Sequence, residues 1–454
     1  MPVSPRAVAA NLIAHSPIHR VLPPGALKTY ATVKYHGERS TPEAITTVVD
    51  SLGGIPTKYH STAIVAARAA FRSGLDDQVR AALETLKDRF PESPDVLRLQ
   101  ADLHAHHNDF DTALQLVHRA RLLDPSSAAA AAAAVRYSYH ALDRNAADQY
   151  AARMVGRFPV SSGVLWAAAK ACVSGEQYER IEAAWNSAVK RRTEPTDLLR
   201  AVRPLATAAA RAHNVSRAIE LFGKAITAVR HGVEPPEHST TRLAGRGAWR
   251  AVQDICRMLD DAGIPFFFAA GTALGFERVG RPLSDDGDID VGILEQDFDA
   301  ERLTALVAEH PMFLIDPHPL SSKVHMRHRG GSPVDFFRYY TEDGKMWHDG
   351  VFVRWWNTPF EVERRRFNGL NIPLPTNPDR YLTENYANWR IPNADFDSFT
   401  DEAPNCTVHW EHYQQLHFMR RAFRAATAKD FATAAAELRS AGETALANRI
   451  GDTA

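Results

Sequence analysis

With 454 residues, of which 45% are hydrophobic and 24% charged, the chain has the composition of an ordinary globular protein of two or three domains. A formal net charge of −1 provides no overall attraction to nucleic acid. Its three cysteines lie far apart, which excludes a disulfide framework and favours a reducing compartment. No segment approaches the ~18 unbroken apolar residues of a membrane span. We therefore expect a cytoplasmic protein, and leave open peripheral contact with the inner face of a membrane.

Residues 1–58 form a segment that is hard to classify. It contains seven prolines, and its apolar runs are short. Because proline interrupts both helices and sheets, we interpret this segment as a leader with one or two helices.

A repeat of 34 residues begins near residue 59 and continues to residue 230. Pro91, Pro125 and Pro159 follow this interval, which is the length of a tetratricopeptide unit. Small residues recur at matching positions, as closely crossing helices require; they are Ala67, Ala101, Ala113, Ala120, Ala147, Ala169, Ala188, Ala206, Ala218 and Ala225. The pattern predicts a tetratricopeptide-like α-solenoid, whose concave surface would bind a protein partner or an extended ligand. An ordinary helical bundle is the alternative.

Helical and strand patterns alternate after residue 244. Residues 231–244 contain the glycine, proline and hydroxyl residues of a linker, and residues 245–410 are predicted to form one mixed-sheet domain. The predicted elements are a helix at 249–262, a strand from 265, a Gly271-Thr272 turn before a short helix at 273–279, a strand from 288, a helix at 299–309, and strands at 312–315, 323–328 and 334–340. Residues 411–454 are alanine-rich, and we expect them to form a closing pair of helices.

Three acids, Asp286, Asp288 and Asp290, alternate at the start of the second predicted strand. Residues i and i+2 of a strand share a face, so Asp288 and Asp290 should lie a few ångströms apart. Ionised carboxylates that close repel each other unless a cation lies between them. Oxygen ligands favour a hard ion, so the pattern predicts Mg²⁺ or Mn²⁺. A solvated acidic turn is the alternative.

Two other metal sites are disfavoured. An EF-hand loop starting at Asp286 would need glycine at its sixth position and glutamate at its twelfth, where the chain has Val291 and Asp297. A zinc site is disfavoured because neither of two histidine pairs has a cysteine or acid at a suitable spacing. These pairs are His325/His328 and His409/His412.

A row of cationic residues occupies one face of a later predicted strand: Lys323, His325, Arg327 and Arg329. A wall that binds a diphosphate and a solvated edge strand are both compatible with this row. On the following strand, Asp335 stands within an apolar run. A buried carboxylate without a partner is costly, so Asp335 needs a metal, an attacking hydroxyl or an arginine beside it.

Four blocks of this region resemble the LicD/fukutin family, in the same order. They are GTALGFERVG from Gly271, DGDIDVGI from Asp286, VDFFRYYTEDGKMWHDG from Val334 and YLTENYANWRIP from Tyr381. The resemblance covers residues 248–405 and implies a nucleotidyltransferase-like fold. It also implies transfer of a phospho-alditol or phosphocholine group from a CDP-activated donor to a glycan acceptor, in the biosynthesis or modification of a surface polysaccharide.

The residue patterns and the resemblance together imply a set of site residues. Asp288, Asp290 and Asp335 would be catalytic and would hold the Mg²⁺ or Mn²⁺, with Asp335 acting as a third ligand or as the base for the attacking hydroxyl. The implied substrate-binding residues are Gly271, Thr272, Arg278, Lys323, Arg327, Trp347 and Trp389. For the two tryptophans, packing in the core is the alternative. The expected fold class is α + α/β, with an α-solenoid followed by a nucleotidyltransferase-like mixed sheet.

Two further functions are compatible with the sequence. One is a non-catalytic scaffold in which the repeats bind a partner and the second domain is a degenerate transferase; the intact acid pair disfavours it. The other is a nucleotidyltransferase that releases pyrophosphate. For the transferase, the expected partners are a CDP-activated donor, a glycan acceptor and a protein bound to the repeats, with no nucleic acid.

Overall fold

A computed structural model describes residues 16–39, 42–192, 196–235, 245–284, 286–317, 321–350, 353–393, 396, 398–399, 402–408 and 413–451. The start of the predicted leader, most of the predicted linker and the His409/His412 pair lie outside the described residues.

The described chain before residue 245 contains helices and turns and no strand. Its α-helices are α1 (Ala26–Arg39), α2 (Pro42–Ser51), α3 (His60–Arg72), α4 (Asp76–Arg89), α5 (Pro94–Ala105), α6 (Phe110–Leu123), α7 (Ala128–Ala141), α8 (Arg144–Arg157), α9 (Ser162–Ala171), α10 (Gly175–Val189), α11 (Thr196–Arg211) and α12 (Val215–Arg230). This confirms the predicted all-helical first half.

The 34-residue period appears in the helix boundaries. Helices α4, α6 and α8 begin 34 residues apart, and so do α5, α7 and α9. Each helix of the second set starts with a serine cap, Ser93, Ser127 or Ser161, whose hydroxyl accepts a hydrogen bond from the backbone N–H three residues later. The prolines of the repeat lie in the turn just before each cap.

Small residues form the contacts between these helices. The ten alanines that recur in the sequence are all buried, with at most 3% of their surface exposed. Helix α7 packs against α9, and α8 against α10, so that each hairpin is stacked on the next. This stacking produces the extended core that a single hairpin could not form.

The second half contains a mixed sheet with helices beside it. The helices are α13 (Gly245–Asp261), α14 (Ala270–Val279), α15 (Ala300–Glu309) and α16 (Pro378–Tyr386), and the strands are β1 (Phe267–Phe268), β2 (Ile289–Leu294), β3 (Phe313–Ile315), β4 (Lys323–His328), β5 (Pro333–Glu342), β6 (Lys345–Asp349), β7 (Val353–Asn357), β8 (Val362–Phe367), β9 (Leu370–Pro375) and β10 (Cys406–Val408). Among the described residues, the main sheet has the order β1-β2-β5-β6-β7-β10, and β4 joins β3 to β5. Of the strand pairs that the described residues form in this sheet, only β2–β5 is parallel. The predicted α + α/β class is confirmed.

The start of α14 differs from the prediction. A turn was expected at Gly271-Thr272, but the helix already begins at Ala270. The backbone N–H of Ala270 donates to the hydroxyl of Tyr381 at 2.9 Å. This cap comes from a residue 111 positions away, so no local pattern could indicate it.

The last helices that the structure describes pack on the solenoid. Helices α17 (Gln414–Thr427), α18 (Phe431–Ser440) and α19 (Thr444–Gly451) follow the sheet, and α17 packs along α12. The rings of Phe222 and Phe423 lie 5.5 Å apart in this contact. The predicted closing pair is therefore a set of three helices. Among the helices that the structure describes, none is both long and apolar enough to cross a bilayer.

Ion pairs join the solenoid to the sheet domain. The Lys170 ammonium nitrogen lies 2.6 Å from a carboxylate oxygen of Asp316. Arg329, whose side chain is fully buried, pairs with Asp76 and lies over the Phe71 ring, 4.4 Å from its centroid. These contacts hold one face of the sheet against the helical repeats.

Candidate active site

Three carboxylates meet where β2 lies beside β5. Asp290 on β2 and Asp335 on β5 are direct partners in the parallel register, and Asp288 lies two residues before Asp290. One ligand oxygen from each of the three lies within 4.8 Å of the others. The sequence pattern predicted the first pair, and the crossover from β2 to β5 brings in the third.

Burial and mutual repulsion disfavour the ionised forms of two of these acids. Burial, followed by the charge of Asp335, raises the pKa of Asp288 to about 6. Burial raises the pKa of Asp290 well above its ordinary value, and the charges of Asp288 and Asp286 add to the shift. A cation bound between the carboxylates would favour their ionised forms and lower their pKa values. Since carboxylate oxygens are hard ligands, the donor set fits Mg²⁺ or Mn²⁺.

Asp335 has a different environment because two residues of β4 contact it. The Lys323 ammonium nitrogen lies 2.6 Å from its Oδ2, and His325 Nδ1 contacts its Oδ1. Burial alone would raise the pKa of Asp335, but the charges and hydrogen bonds of His325 and Lys323 hold it well below its usual range. Asp335 is therefore ionised, and Lys323 places a positive charge beside the acids.

The N-terminal turn of α14 supports the acid cluster. The Thr272 hydroxyl accepts a hydrogen bond from the backbone N–H of Asp290 at 2.9 Å, and this fixes the start of β2. Gly271 lies so close to Asp286 that a Cβ at this position would be 2.5 Å from a carboxylate oxygen. Any larger residue at 271 would have to displace Asp286.

A cavity of about 1230 Å³ opens over this face of the sheet. It is lined by Gly271, Arg278, Asp286, Asp288, Asp290, Lys323 and Asp335, and further away by Trp166, Thr207, His348, Trp355, Asn385 and Asn405. Arg278 lies at the rim, where it donates to the carbonyls of Trp389 and Ile391. Most of the predicted site residues are thus brought together around one space.

Four of the predicted substrate-binding residues lie outside the cavity lining. One is Thr272, which is buried and bonded to the backbone of Asp290; the others are Arg327, Trp347 and Trp389. Arg327 is exposed near the end of β4 and donates to the Gly331 carbonyl at 3.3 Å. Trp347 is on the opposite face of β6 from His348, and its indole N–H donates to the Glu342 carbonyl at 3.1 Å.

The Trp389 indole N–H donates to a carboxylate oxygen of Asp379 at 3.1 Å. For this tryptophan and for Trp347, the structure favours a role in packing and hydrogen bonding within the domain.

Arg329, part of the predicted cationic row, pairs with the solenoid through Asp76. Only the first two members of that row, Lys323 and His325, contact the acid cluster.

Several lining residues were not predicted. His348 and Trp355 are register partners on β6 and β7, and their rings are stacked 5.1 Å apart. Asn405 precedes β10, while Trp166 and Thr207 come from the solenoid. The strand alternation of Lys345–Asp349 could have identified His348, but the solenoid residues reach the cavity only through the packing of the two halves.

The comparisons with known proteins agree with this site. Residues 263–377 match the family described as LicD/FKTN/FKRP, nucleotidyltransferase domain. The chain is 23% identical over 164 residues to the ribitol-5-phosphate transferase FKTN of Macaca fascicularis, and equally to that of Homo sapiens. These alignments cover 34% of this chain and 35% of each relative, so the chain spans about a third of the length of the relatives that it matches. The segment that carries the carboxylate cluster is therefore similar to the nucleotidyltransferase domain of the LicD/FKTN/FKRP family.

Proposed function

We propose that this protein transfers a phospho-alditol group from a CDP-activated donor to a hydroxyl group of a glycan, with Mg²⁺ or Mn²⁺ as the cofactor. The main support is the approach of Asp288, Asp290 and Asp335 to within 4.8 Å in the wall of a large cavity. The relatives are named ribitol-5-phosphate transferases, so ribitol phosphate is the first group to test.

Each residue of the cluster has a part in the proposal. Asp288, Asp290 and Asp335 would hold the metal, which, when bound, neutralises charge on the diphosphate. His325 and Lys323 together keep Asp335 ionised, and Lys323 adds a positive charge at the same wall. The Thr272 hydroxyl holds the start of the strand that bears Asp290. Because Gly271 has no side chain, Asp286 can occupy the space beside it.

The reaction exchanges one phosphorus–oxygen bond for another. The acceptor hydroxyl oxygen attacks the phosphorus that carries the alditol, the bond from that phosphorus to the bridging oxygen breaks, and CMP leaves. A phosphodiester remains, and the hydroxyl proton passes to water. Because transition states of phosphoryl transfer are loose, positioning and charge stabilisation contribute more than a strong base does.

The identity of the released product tests this proposal. The full chain would be incubated with Mg²⁺, a panel of glycans, and CDP-ribitol, CDP-glycerol or CDP-choline. Release of CMP together with a glycan that carries the phospho-alditol or phosphocholine group supports the proposal. Release of pyrophosphate in a parallel incubation with CTP, with transfer of CMP to the acceptor, indicates a nucleotidyltransferase instead. If calorimetry detects no metal-dependent binding of any of the three donors, the protein is a scaffold and the proposal is wrong.

A further inference from the structure

The cavity is larger than the acid cluster requires. Its volume of about 1230 Å³ exceeds the ~300–1,000 Å³ of a site for one small molecule. We call the part lined by Trp166, Thr207, His348, Trp355 and Asn405 the distal lobe. Since transfer needs a donor and an acceptor together, the additional space raises the question of which of them occupies the distal lobe.

The order of the strands separates the distal lobe from the acids. Asp335 is on β5, His348 on the neighbouring β6, and Trp355 on β7; Asn405 precedes β10 at the sheet edge. Neighbouring strands are roughly 4.8 Å apart. Trp355 and Asn405 are thus on the order of 10–14 Å from the strand of Asp335, which leaves room for a sugar residue beside a group bound at the acids.

Two buried polar atoms in this lobe have no hydrogen-bond partner within the described part of the chain: Nδ1 of His348 and Oδ1 of Asn405. The two residues are only 4% and 0% exposed. The Asn405 amide nitrogen donates to the Trp356 carbonyl at 2.8 Å and to Asn385 Oδ1 at 3.0 Å. Rotating the amide by 180° would place its oxygen against these two oxygens, so the orientation is determined by the network. An unsatisfied buried acceptor is costly, and a donor from a ligand would remove that cost.

Aromatic rings lie beside these two polar atoms. Trp355 is stacked on His348, and the solenoid contributes Trp166. A sugar ring has an apolar C–H face for an aromatic surface, and several hydroxyls that donate hydrogen bonds. The polar edge of cytosine has one amino donor beside two acceptor atoms. These acceptors would lie against the lone pairs of Asn405 Oδ1 and could not bond to it. The surroundings of the lobe therefore match a sugar better than they match the base of the donor.

We propose that the distal lobe binds the sugar residue of the acceptor, and that Trp166 and Thr207 of the solenoid help to select it. This inference rests on the proposed function, since it places the acceptor next to the donor site. It also assigns a role to the solenoid, namely to complete the substrate site of the sheet domain.

Titrations of the full chain test the assignment. The probes are CDP-ribitol with Mg²⁺, and a panel of methyl glycosides of hexoses and N-acetylhexosamines, followed by ligand-observed NMR. We expect Trp166→Ala and Thr207→Val each to weaken glycoside binding about five- to tenfold and to leave the affinity for CDP-ribitol unchanged. Trp166→Phe, which keeps an aromatic surface, should bind the glycosides within about twofold of the wild type.

Several outcomes would overturn the inference. Weaker CDP-ribitol binding in Trp166→Ala with unchanged glycoside binding would assign the lobe to the donor. Glycoside binding that is equal in all variants, or undetectable in the wild type up to the solubility limit, would also refute it. The glycoside arm needs no nucleotide, so a failure of CDP-ribitol to bind at all would refute the proposed function separately.

Discussion

The ammonium nitrogen of Lys323 lies 2.6 Å from Oδ2 of Asp335, and the two side chains are only 15% and 3% exposed. The pair connects β4 to β5 at the point where β5 meets the acid-bearing strand β2. A positive charge is thus built into the wall of an otherwise acidic site. It balances one carboxylate and leaves two whose ionised forms are disfavoured.

The first prediction concerns this pair. Lys323→Met should lower the free energy of unfolding in metal-free buffer by about 3 kcal/mol, because a buried carboxylate loses its main cationic partner. Asp335→Asn removes the charge that needs this partner, so the double variant should lose less stability than the sum of the two single variants. Urea unfolding of all four proteins measures the coupling. Strictly additive losses would show that the ion pair does not stabilise the fold.

The second prediction concerns metal binding. We expect Mg²⁺ to raise the melting temperature of the wild type, since a ligand at about 100 times its Kd stabilises by about 2.7 kcal/mol. Asp290→Asn should remove both this rise and the Mg²⁺-dependent turnover. In metal-free buffer this variant should be at least as stable as the wild type, because burial and neighbouring acids disfavour the Asp290 carboxylate. Melting curves with and without Mg²⁺ provide the measurement.

Asp297→Asn is the matched control for that experiment. Asp297 lies in the turn after β2, outside the acid cluster, so this variant should respond to Mg²⁺ as the wild type does. An Asp290→Asn protein with an unchanged Mg²⁺ response would contradict the placement of the metal on Asp290.

Local patterns predicted the parts of this molecule that depend on nearby residues. The repeat prolines marked the ends of α4, α6 and α8, because proline cannot continue a helix. The alternation of Asp288 and Asp290 with apolar residues indicated β2 and the first two members of the acid cluster. Asp335 was found as a charge within an apolar run.

The differences between the predicted site and the cavity lining involve contacts between residues that are far apart in the sequence. Arg329 shares a face with Lys323 by alternation, but the packing of the solenoid directs it to Asp76. Trp347 and His348 are neighbours in sequence, and only the register of β6 decides which of them faces the cavity. Trp166 lines the cavity because the solenoid packs against the sheet domain. No periodicity in the sequence indicates that contact.

The third prediction concerns the junction between solenoid and sheet. Arg329→Gln should lower the free energy of unfolding by about 3–5 kcal/mol, because it leaves Asp76 beside a buried neutral group. We expect calorimetry to show two separate melting transitions in the variant. The exposed pair of Arg364 and Asp260, with 44% and 42% exposure, provides the control, and Arg364→Gln should change stability by about 0–1 kcal/mol. Equal losses in the two variants would contradict a stabilising role for the buried pair.

The fourth prediction concerns pH. Burial, with a smaller effect of the Arg329 charge, lowers the pKa of His106 at this junction from 6.5 to about 3. Above pH 6.5 the ring is neutral in both the folded and the unfolded chain, so it adds no pH dependence. Between pH 6.5 and about 3 the unfolded chain binds a proton that the folded chain excludes, and stability falls as the pH falls.

At pH 5.0, which is 1.5 units below the unfolded pKa, His106 should reduce the free energy of unfolding by about 2 kcal/mol. His106→Phe removes this contribution, and comparing pH 7.5 with pH 5.0 cancels any constant packing penalty of the larger ring. His348, whose pKa burial likewise lowers to about 3, remains in the variant, so the loss of stability should become smaller without disappearing. Urea unfolding of both proteins at both pH values provides the measurement. A variant that loses as much stability as the wild type would show that His106 is already protonated, or not buried, in the folded protein.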